Sequence, residues 1–280
     1  MDFTNKTAIS TGAASGMGLL FAQNFAALGG NVVMCDVNEK VLAECVADIN
    51  AKGCGKAYGM VCDVRDYAQV CAARDKAVEL FGSIDVMCNF AGGTAVRMCN
   101  VDREKYPEFP DVPIDVYDWG IDVNMKGPFY FAHAVLKQMR EQKSGLIINI
   151  GSIYGMLSPI QDIYAYKKEL TGVPFIKPVA YSAAKSGIYN LTRYLATYWG
   201  KKGIRVVSLS PGLIATDMGN LEAEEGGMLI PLTAEERMGK PEELGFALYA
   251  VADERNGYLA GVDVLCDGGS VNGKIFKRKK

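Results

Sequence analysis

Tyrosine and lysine side chains can act together as an acid–base centre, and the segment YSAAK supplies one of each at Tyr181 and Lys185. If a helix begins near Val179, the spacing of four residues puts both side chains on one helical face. A free tyrosine, with a pKa of about 10, is too weakly ionised to act as a base near neutrality. A cation within about 4–6 Å favours tyrosinate, so Lys185 makes Tyr181 a candidate general acid/base. The alternative is a surface tyrosine beside a solvated lysine, because this spacing also arises by chance.

Two further polar residues, Ser152 and Asn124, extend this candidate catalytic group. Ser152 follows the apolar run LIINI, and its hydroxyl can hold a substrate oxygen against Tyr181. Asn124 lies in the segment VNMKG, where an amide beside a glycine is also compatible with bending or capping a helix. The only histidine, His133, has no sequence neighbour that would orient it as a base, and we interpret it as a packing residue.

A glycine-rich turn near the N-terminus is typical of anion binding. The segment TGAASGMG, residues 11–18, follows a strand-like run and precedes a helical pattern. Glycine permits positive φ angles and a close approach of backbone to ligand, and the N–H groups at a helix start attract a phosphate. Because strand, turn and helix occur in the required order, we predict a dinucleotide pyrophosphate site here. Its contact residues are Gly12, Ser15, Gly16, Met17 and Gly18.

An acidic residue, Asp36, ends the second strand-like run, 18 residues after Gly18. A dinucleotide-binding fold places there the carboxylate that accepts hydrogen bonds from the ribose 2′-hydroxyl. A carboxylate repels a 2′-phosphate, and neither 13–15 nor 37–38 supplies a basic partner for one. The sequence therefore favours NAD over NADP. The alternative is that Asp36 is an ordinary turn residue at a strand end.

Two more strand-like runs end in polar or small residues. Asp63 ends one of them, and the other continues into Asn89, Ala91 and Gly92. In an open α/β sheet the ligand crevice lies beyond the carboxyl ends of the strands, so these residues line the same edge as Asp36. We predict that Asp63 meets the adenine amine and that Asn89 and the small residues after it let the cofactor pass close to the backbone.

The elements that must position these residues alternate between short apolar runs and longer segments of helical period. In the first helical segment Met17, Phe21, Phe25 and Leu28 form one apolar stripe, which the glycine pair 29–30 ends. The alternation is typical of an α/β fold in which helices flank a parallel sheet, so we predict a single-domain, Rossmann-like, doubly wound sheet of seven strands. The strand candidates are Lys6–Ser10, Asn31–Asp36, Ala57–Asp63, Ile84–Asn89, Leu146–Ser152, Arg205–Ser210 and Val262–Asp267.

Composition and charge exclude several classes of function. The 280 residues are 49% apolar, and 30 Lys and Arg against 32 Asp and Glu leave a formal charge of −2, so no basic excess favours nucleic acid or an anionic membrane. The N-terminus lacks the pattern of a signal peptide, and no apolar run is long enough to span a bilayer. Eight cysteines form no C-x-x-C pair, and a single histidine disfavours a zinc site. We expect a cytoplasmic protein with reduced thiols, no metal and a small-molecule substrate.

These motifs together resemble the classical short-chain dehydrogenases/reductases over residues 6–269. The turn reads T-G-x-x-x-G-x-G, residues 89–92 are similar to the N-N-A-G segment with Phe90 in place of the second asparagine, and residues 181–185 match Y-x-x-x-K. The resemblance implies that Tyr181 is the general acid/base, that Lys185 and Ser152 assist it, and that Asn124 holds a water linking Lys185 to solvent. It also implies a homotetramer or homodimer. The further cofactor contacts that it implies are Val64, Pro211, Gly212, Ile214 and Thr216.

The sequence therefore predicts an NAD-dependent oxidoreductase that interconverts a secondary alcohol and a ketone. A sugar, a polyol or another polar carbonyl compound is the first substrate class we consider, and a hydroxysteroid or other ring ketone is the alternative. A protein of another class, which senses NAD or acts as a scaffold without turnover, is disfavoured by the intact Ser152, Tyr181 and Lys185. A sugar-nucleotide epimerase is disfavoured by the chain length and the glycine spacing.

Three segments depart from the family pattern. Ser152 and Tyr181 are 29 residues apart, longer than is usual in the family, with an insert near 160–179 that we expect to form a pocket wall or an oligomer contact. A second expansion, residues 94–117, is expected as a charged loop at the ligand edge. Residues 217–237 have few periodic apolar positions and are expected to form a mobile lid or a disordered surface loop. The basic C-terminal tail KIFKRKK is assigned no function.

Overall fold

Seven parallel strands form one sheet in the order β3-β2-β1-β4-β5-β6-β7. The computed structural model describes residues 1–94, 108–165, 168–169, 172, 175–215 and 230–273. The predicted seven-stranded α/β fold is confirmed, with each strand within a few residues of its expected bounds. The strands are β1 (Thr7–Thr11), β2 (Asn31–Asp36), β3 (Ala57–Val61), β4 (Val86–Asn89), β5 (Gly145–Ile150), β6 (Ile204–Pro211) and β7 (Asp263–Cys266).

Helices cover both faces of the sheet. Asn38 caps the helix after β2 by accepting from the N–H of Val41, and Asp66 caps the next helix by accepting from Ala68 and Gln69. A short π-helical segment, Asp122–Lys126, which we call the π-turn, joins the helices Ile114–Ile121 and Gly127–Gln142. The described helices are α1 (Gly16–Ala27), α2 (Glu39–Ala51), α3 (Tyr67–Phe81), α4 (Ile114–Ile121), α5 (Gly127–Gln142), α6 (Ile153–Met156), α7 (Val179–Trp199), α8 (Pro241–Ala252) and α9 (Ser270–Gly273).

The core consists of two apolar clusters, one on each face of the sheet. On one face Phe21 and Phe25 of α1 are fully buried and stack at 5.4 Å between ring centroids, as the apolar stripe of α1 predicts. On the other face Phe131 and Met139 of α5 pack with Leu195 of α7. Burial on both faces explains why most of the inner strands are apolar runs, whereas the edge strands β3 and β7 are only partly buried.

The expectation of a loop over residues 94–117 is wrong at its C-terminal end. Pro113 precedes α4, which begins at Ile114 and carries Asp115 in its first turn, a favourable combination at a helix start. Residues 95–107 lie outside the described residues. No described helix has both the length and the hydropathy needed to cross a membrane.

Only the last part of the expected lid, residues 230–237, lies within the described residues, and it is held to the end of β7. The backbone N–H groups of Ala234 and Glu235 both donate to the carbonyl oxygen of Gly268. Thr233 is buried, and the guanidinium of Arg237 forms two hydrogen bonds with the carboxylate of Glu243 on α8. These contacts connect residues 230–237 to the ends of β7 and α8, and the expected mobility stays a prediction.

Candidate functional site

The carboxyl ends of β1, β4 and β5 meet at one edge of the sheet, where the glycine-rich turn between β1 and α1 lies. Gly12 and Gly16 have φ angles of +61° and +53°, which favour glycine. A Cβ at Gly18 would lie 2.4 Å from the carbonyl oxygen of Gly12, so the turn closes on itself too tightly for any side chain there. A Cβ at Gly16 would meet no heavy atom within 4 Å. The space in front of Gly16 fits a ligand that contacts backbone.

Asp36 at the end of β2 is tied to this turn. Its Oδ2 accepts a 3.0 Å hydrogen bond from the N–H of Ala14, and its Oδ1 accepts one of 2.9 Å from the N–H of Asn38. The side chain is partly exposed, and each carboxylate oxygen keeps further acceptor capacity. The arrangement fits a ribose hydroxyl, while the contact with Asn38 is also that of a strand-end turn.

Asp63, after β3, is engaged by a neighbouring cation that the sequence analysis did not consider. Arg65 donates from Nη2 to Asp63 Oδ2 at 2.6 Å and from Nε to both carboxylate oxygens. Its guanidinium also lies 5.7 Å from the ring centroid of Trp119. Hydrogen bonding by Arg65 lowers the pKa of Asp63 below its ordinary value. A ligand amine at Asp63 would therefore share the carboxylate with Arg65, and Val64 beside it is buried against Gly127.

The segment after β4 passes close to the glycine-rich turn. The N–H of Ala91 donates to Thr11 Oγ1 at 3.0 Å, and a Cβ at Gly12 would lie 3.1 Å from the Cα of Ala91. The side chain of Asn89 points into the sheet, where Nδ2 donates to Asn149 Oδ1 at 2.9 Å. The sequence analysis did not predict this role of Thr11, although its place at the end of β1 puts it beside the end of β4.

Ser152 lies two residues beyond β5, where its Oγ caps α6 by accepting from the N–H of Tyr154 at 3.2 Å. Helix α6 packs closely on α7, because a Cβ at Gly155 would lie 2.7 Å from the backbone of Lys185. Ser186 Oγ donates to the Gly155 carbonyl oxygen at 2.7 Å. These contacts bring Ser152 to the face of α7 that carries Tyr181 and Lys185.

Lys185 is almost completely buried and donates from Nζ to the carbonyl oxygen of Ile150 at 2.7 Å. Its Nζ lies 5.7 Å from the ring centroid of Tyr181. Burial lowers the pKa of Lys185 to about 8. Burial also raises the pKa of Tyr181, and a hydrogen bond with the Ser152 side chain opposes that rise. The distance from Lys185 Nζ to the Tyr181 ring agrees with the predicted pairing, and the effect of this cation on the ionisation of Tyr181 stays a prediction.

Asn124 lies in the π-turn between α4 and α5, a feature frequent at functional sites. Its Nδ2 donates to the carbonyl oxygens of Gly93 and Gly120 at 2.9 Å each, and its Oδ1 accepts from the N–H of Gly93 at 3.1 Å. A Cβ at Gly92 would lie 2.7 Å from Asn124 Oδ1 and 3.6 Å from Lys185 Nζ. Asn124 therefore anchors the loop after β4 beside Lys185.

The proline-glycine segment at the end of β6 packs against the end of β7. Gly212 donates its N–H to the carbonyl oxygen of Cys266 at 3.0 Å, and a Cβ at Gly212 would lie 2.7 Å from the Cα of Asp267. Pro211 is the last residue of β6, and Ile214 forms an isolated bridge with Gly239. Thr216 lies outside the described residues.

The insert between Ser152 and Tyr181 supplies a wall of polar and aromatic side chains. The sequence analysis predicted a wall here but did not name its residues. The hydroxyls of Tyr154 and Tyr164 are 3.0 Å apart, and the Tyr164 ring packs edge-on against Phe175 at 5.0 Å. Lys177 Nζ lies 5.2 Å from the ring centroids of both Tyr154 and Tyr181. The insert thus places a cation beside the candidate acid/base.

His133 packs against the rings of Tyr67 and Phe129, at the surface and not in the core. It is exposed on α5, and its Nδ1 shares a 2.6 Å hydrogen bond with the hydroxyl of Tyr67 on α3. This position of α5 faces solvent, so the histidine belongs to an aromatic group at the surface. We assign it no role in the chemistry of Tyr181. Among the described residues no cluster of His, Cys, Asp and Glu is arranged to hold a metal ion.

Comparison with known proteins identifies relatives along nearly the full chain. A family model described as enoyl-(acyl carrier protein) reductase matches residues 12–271. The chain is 33% identical to the uncharacterized oxidoreductase YxbG of Bacillus subtilis, over 95% of this chain and 90% of that protein. It is 31% identical to a D-threitol dehydrogenase of Mycolicibacterium smegmatis, over 94% of this chain and 92% of that protein.

Solved structures show the same fold. A 3-oxoacyl-[acyl-carrier protein] reductase of Brucella melitensis with bound NAD superposes with a TM-score of 0.81 at 28% identity, covering 96% of this chain and 92% of that chain.

Proposed function

The chain belongs to the short-chain dehydrogenase/reductase family of oxidoreductases, and on this premise we propose that it is an NAD-dependent enzyme that interconverts a secondary alcohol and a ketone by hydride transfer. The observation that carries the proposal is the convergence of Ser152, Tyr181 and Lys185 at the edge of the sheet that also holds the glycine-rich turn. The fit of a dinucleotide rests on that turn, where Gly12 and Gly16 have positive φ and Gly18 admits no side chain.

In the proposed reaction Tyr181 takes the proton of the alcohol in oxidation and returns it to the carbonyl oxygen in reduction. When bound, NAD⁺ accepts the hydride and adds a positive charge near Tyr181. Ser152 holds the substrate oxygen in line with the Tyr181 hydroxyl, which is an orientation effect. The Lys185 ammonium, fixed on Ile150, favours the ionised form of Tyr181 and opposes the effect of its burial. Asn124 keeps the loop after β4 in place beside Lys185.

NAD is the proposed coenzyme because of Asp36. Its carboxylate is held toward the glycine-rich turn by the N–H of Ala14, in position to accept from a ribose hydroxyl and to repel a phosphate. The other proposed contacts with the cofactor are those that the sequence analysis names. Among them, the Asp63 carboxylate would contact the cofactor while it is also paired with Arg65.

A polyol or a sugar is the substrate class we favour. The relative from Mycolicibacterium smegmatis is named a D-threitol dehydrogenase, and the wall beside Tyr181 offers the Tyr154 and Tyr164 hydroxyls and the Lys177 ammonium. These groups suit a substrate with several oxygens. A ring ketone such as a hydroxysteroid is the second candidate, since the partly exposed ring of Phe175, packed on Tyr164, also offers an apolar surface.

The proposed enzyme is a homo-oligomer. Helix α7 exposes Tyr194 and Tyr198, whose rings stack at 6.3 Å, and such a pair on one helical face favours burial against another subunit. The prediction of a lid over 217–237 concerns mainly residues 217–229, which lie outside the described residues.

The experiment that tests the proposal measures reduction of NAD⁺ and of NADP⁺ by the purified protein with polyols, sugars, hydroxysteroids and simple secondary alcohols. We expect turnover with NAD⁺ and a polar alcohol. Binding of NAD⁺ with no turnover of any substrate, together with unchanged binding in Tyr181→Phe, would instead favour a cofactor-sensing protein.

A further inference from the structure

A chain of buried hydrogen bonds runs from the backbone of Ser152 to a carboxyl group on the last strand. Tyr189 of α7 donates from its hydroxyl to the carbonyl oxygen of Ser152 at 2.6 Å, and the N–H of Ser152 donates back to the same hydroxyl at 3.3 Å. The Tyr189 hydroxyl lies 2.9 Å from Ser210 Oγ on β6. Ser210 Oγ in turn lies 2.8 Å from Asp263 Oδ1 on β7. Three elements thus converge on one backbone segment.

The chain of contacts is enclosed from Ser152 to Ser210, and Asp263 at its end is partly buried. Ser210 is fully buried, and Tyr189 and Ser152 are each only 7% exposed. A Cβ at Gly151 would lie 2.2 Å from Ser210 Oγ and 2.9 Å from the Tyr189 ring, so glycine at this position lets the two hydroxyls reach the backbone. The fold therefore accommodates this contact at the residue just before Ser152.

The number of hydrogens available decides how these contacts are made. Three oxygen–oxygen contacts link the Ser152 carbonyl, Tyr189, Ser210 and Asp263, at 2.6, 2.9 and 2.8 Å. The two hydroxyls provide one hydrogen each, and a carbonyl and an ionised carboxylate provide none. With an ionised Asp263, one of the three contacts would hold two oxygens together with no hydrogen between them. A protonated Asp263 supplies the third hydrogen. Asp263 then donates to Ser210, Ser210 donates to Tyr189, and Tyr189 donates to the carbonyl oxygen of Ser152.

The surroundings of Asp263 agree with this count. Burial raises the pKa of its carboxyl, while the Ser208 and Ser210 hydroxyls and the charge of Arg193 act in the opposite direction. Arg193 is exposed on α7, the same helix that carries Tyr189. On the α8 side of β7 the charges of Glu243 and Asp267 act on Cys266, and Glu243 is paired with Arg237.

We propose that Asp263 is a protonated positioning residue, which acts through Ser210 and Tyr189 to fix the backbone of Ser152 and thereby the hydroxyl that orients the substrate. Fixing both the N–H and the carbonyl of Ser152 on one tyrosine hydroxyl limits rotation about that residue. The position of Ser152 Oγ relative to Tyr181 then depends on a group on the far strand of the sheet. The effect on catalysis rests on the proposed function, whereas the protonation of Asp263 does not.

The protonation is tested without any substrate by carbon-13 NMR of the full-length protein labelled at the aspartate side-chain carboxyl. Asp263→Asn identifies the signal, and Asp48→Asn, on the exposed side of α2, is the matched control. At about pH 6, two units above the ordinary aspartate pKa of about 3.9, we expect the Asp263 carboxyl to be protonated. An Asp263 signal that titrates with the exposed aspartates would overturn the proposal.

The positioning role is tested on whichever alcohol the substrate panel identifies. Tyr189→Phe removes the donor to Ser152 and should lower kcat about tenfold to hundredfold with little change in KM. Asp263→Ala should lower kcat in the same way, and Asp263→Asn, whose amide still donates to Ser210, should restore most of it. The alkaline limb of the wild-type kcat profile should include the ionisation of Asp263 and lose it in Asp263→Asn. Equal losses in the Ala and Asn variants, or profiles that coincide, would contradict the role.

Discussion

Lys185 Nζ donates a 2.7 Å hydrogen bond to the carbonyl oxygen of Ile150, the last residue of β5 and two positions before Ser152. This contact joins the helix that carries Tyr181 to the strand that leads to Ser152. Lys185 is nearly fully buried, and burial disfavours its charged form. Its pKa is therefore lowered to about 8. A buried lysine with a lowered pKa is typical of a functional site, and its charge does not stabilise the fold.

Replacing Lys185 by methionine should therefore cost activity and not stability. The folded pKa of about 8 against the ordinary 10.5 means that the unfolded state binds more protons between these values. Lys185 should thus contribute a gain in stability as pH increases from 8 to 10.5, and its charge costs about 3 kcal/mol at neutral pH. In Lys185→Met this contribution should be lost, so the difference in unfolding free energy between variant and wild type should change with pH across this range, while kcat falls by about 100-fold or more.

Urea unfolding across this pH range measures the difference, and Lys201→Met, an exposed lysine beyond α7, is the matched control. A marked loss of stability in Lys185→Met at neutral pH, or a difference between variant and wild type that does not change with pH, would show that Lys185 is not the group responsible.

Asp36 should set the preference for NAD. Asp36→Ala removes the acceptor of the Ala14 N–H and the repulsion of a 2′-phosphate, so kcat/KM with NAD should fall about tenfold to hundredfold and that with NADP should rise. Asp36→Asn keeps one acceptor oxygen and should lie between the two. The measurement is the ratio of kcat/KM for the two coenzymes, and a ratio that is the same in all three proteins would disprove the assignment.

The glycine-rich turn allows binding and folding to be separated. Gly16→Ala places a Cβ in open space at a φ of +53°, so it should cost about 1–2 kcal/mol of stability and abolish NAD binding. Gly18→Ala forces a Cβ against the Gly12 carbonyl oxygen and should destabilise the protein more strongly. Gly82→Ala, at a φ of +78° with open space at the end of α3, is a control for strain alone.

Calorimetric titration of NAD⁺ and thermal unfolding measure both effects. The Gly82 variant should bind NAD⁺ like the wild type. If Gly16→Ala also binds normally, the turn does not face the cofactor.

Lys177 should act on substrate binding more than on the chemical step. Its ammonium lies over the ring faces of Tyr154 and Tyr181, beside the position proposed for the substrate oxygens. Lys177→Gln should raise KM for a polyol about tenfold and change kcat little. Lys168→Gln, exposed in the same insert, is the control. Steady-state kinetics in which kcat falls and KM stays constant would assign Lys177 to the proton transfer instead.

The sheet was predictable because its strands are buried on both faces and therefore read as apolar runs. The order of strands, turns and helices along the chain then fixed which strand ends meet. Asp36, Asn89 and Ser152 could be placed at one edge for this reason alone. The start of α4 at Ile114 was missed, since it lies directly behind charged and proline-containing sequence with little apolar periodicity.

The electrostatics of the site could not be predicted from spacing. Tyr181 and Lys185 share a helical face as expected, yet burial raises the pKa of Tyr181, and burial depends on the tertiary packing of α6 and α7. The same holds for the contact of Asp63 with Arg65. A signal for Tyr189 was present, because Tyr181, Lys185 and Tyr189 follow one another at intervals of four. Its partners Ser210 and Asp263 lie on other strands, and only the fold brings them together.

The central claim is that Tyr181 moves the proton while the hydride passes to NAD⁺. The most direct measurement compares wild type and Tyr181→Phe for NAD⁺ binding by calorimetry and for NADH formation with the alcohol that the wild type oxidises. The account predicts unchanged NAD⁺ affinity and a loss of kcat of about 100-fold to 10,000-fold, because only the proton acceptor is removed. A Tyr181→Phe protein that oxidises the alcohol at the wild-type rate would contradict it.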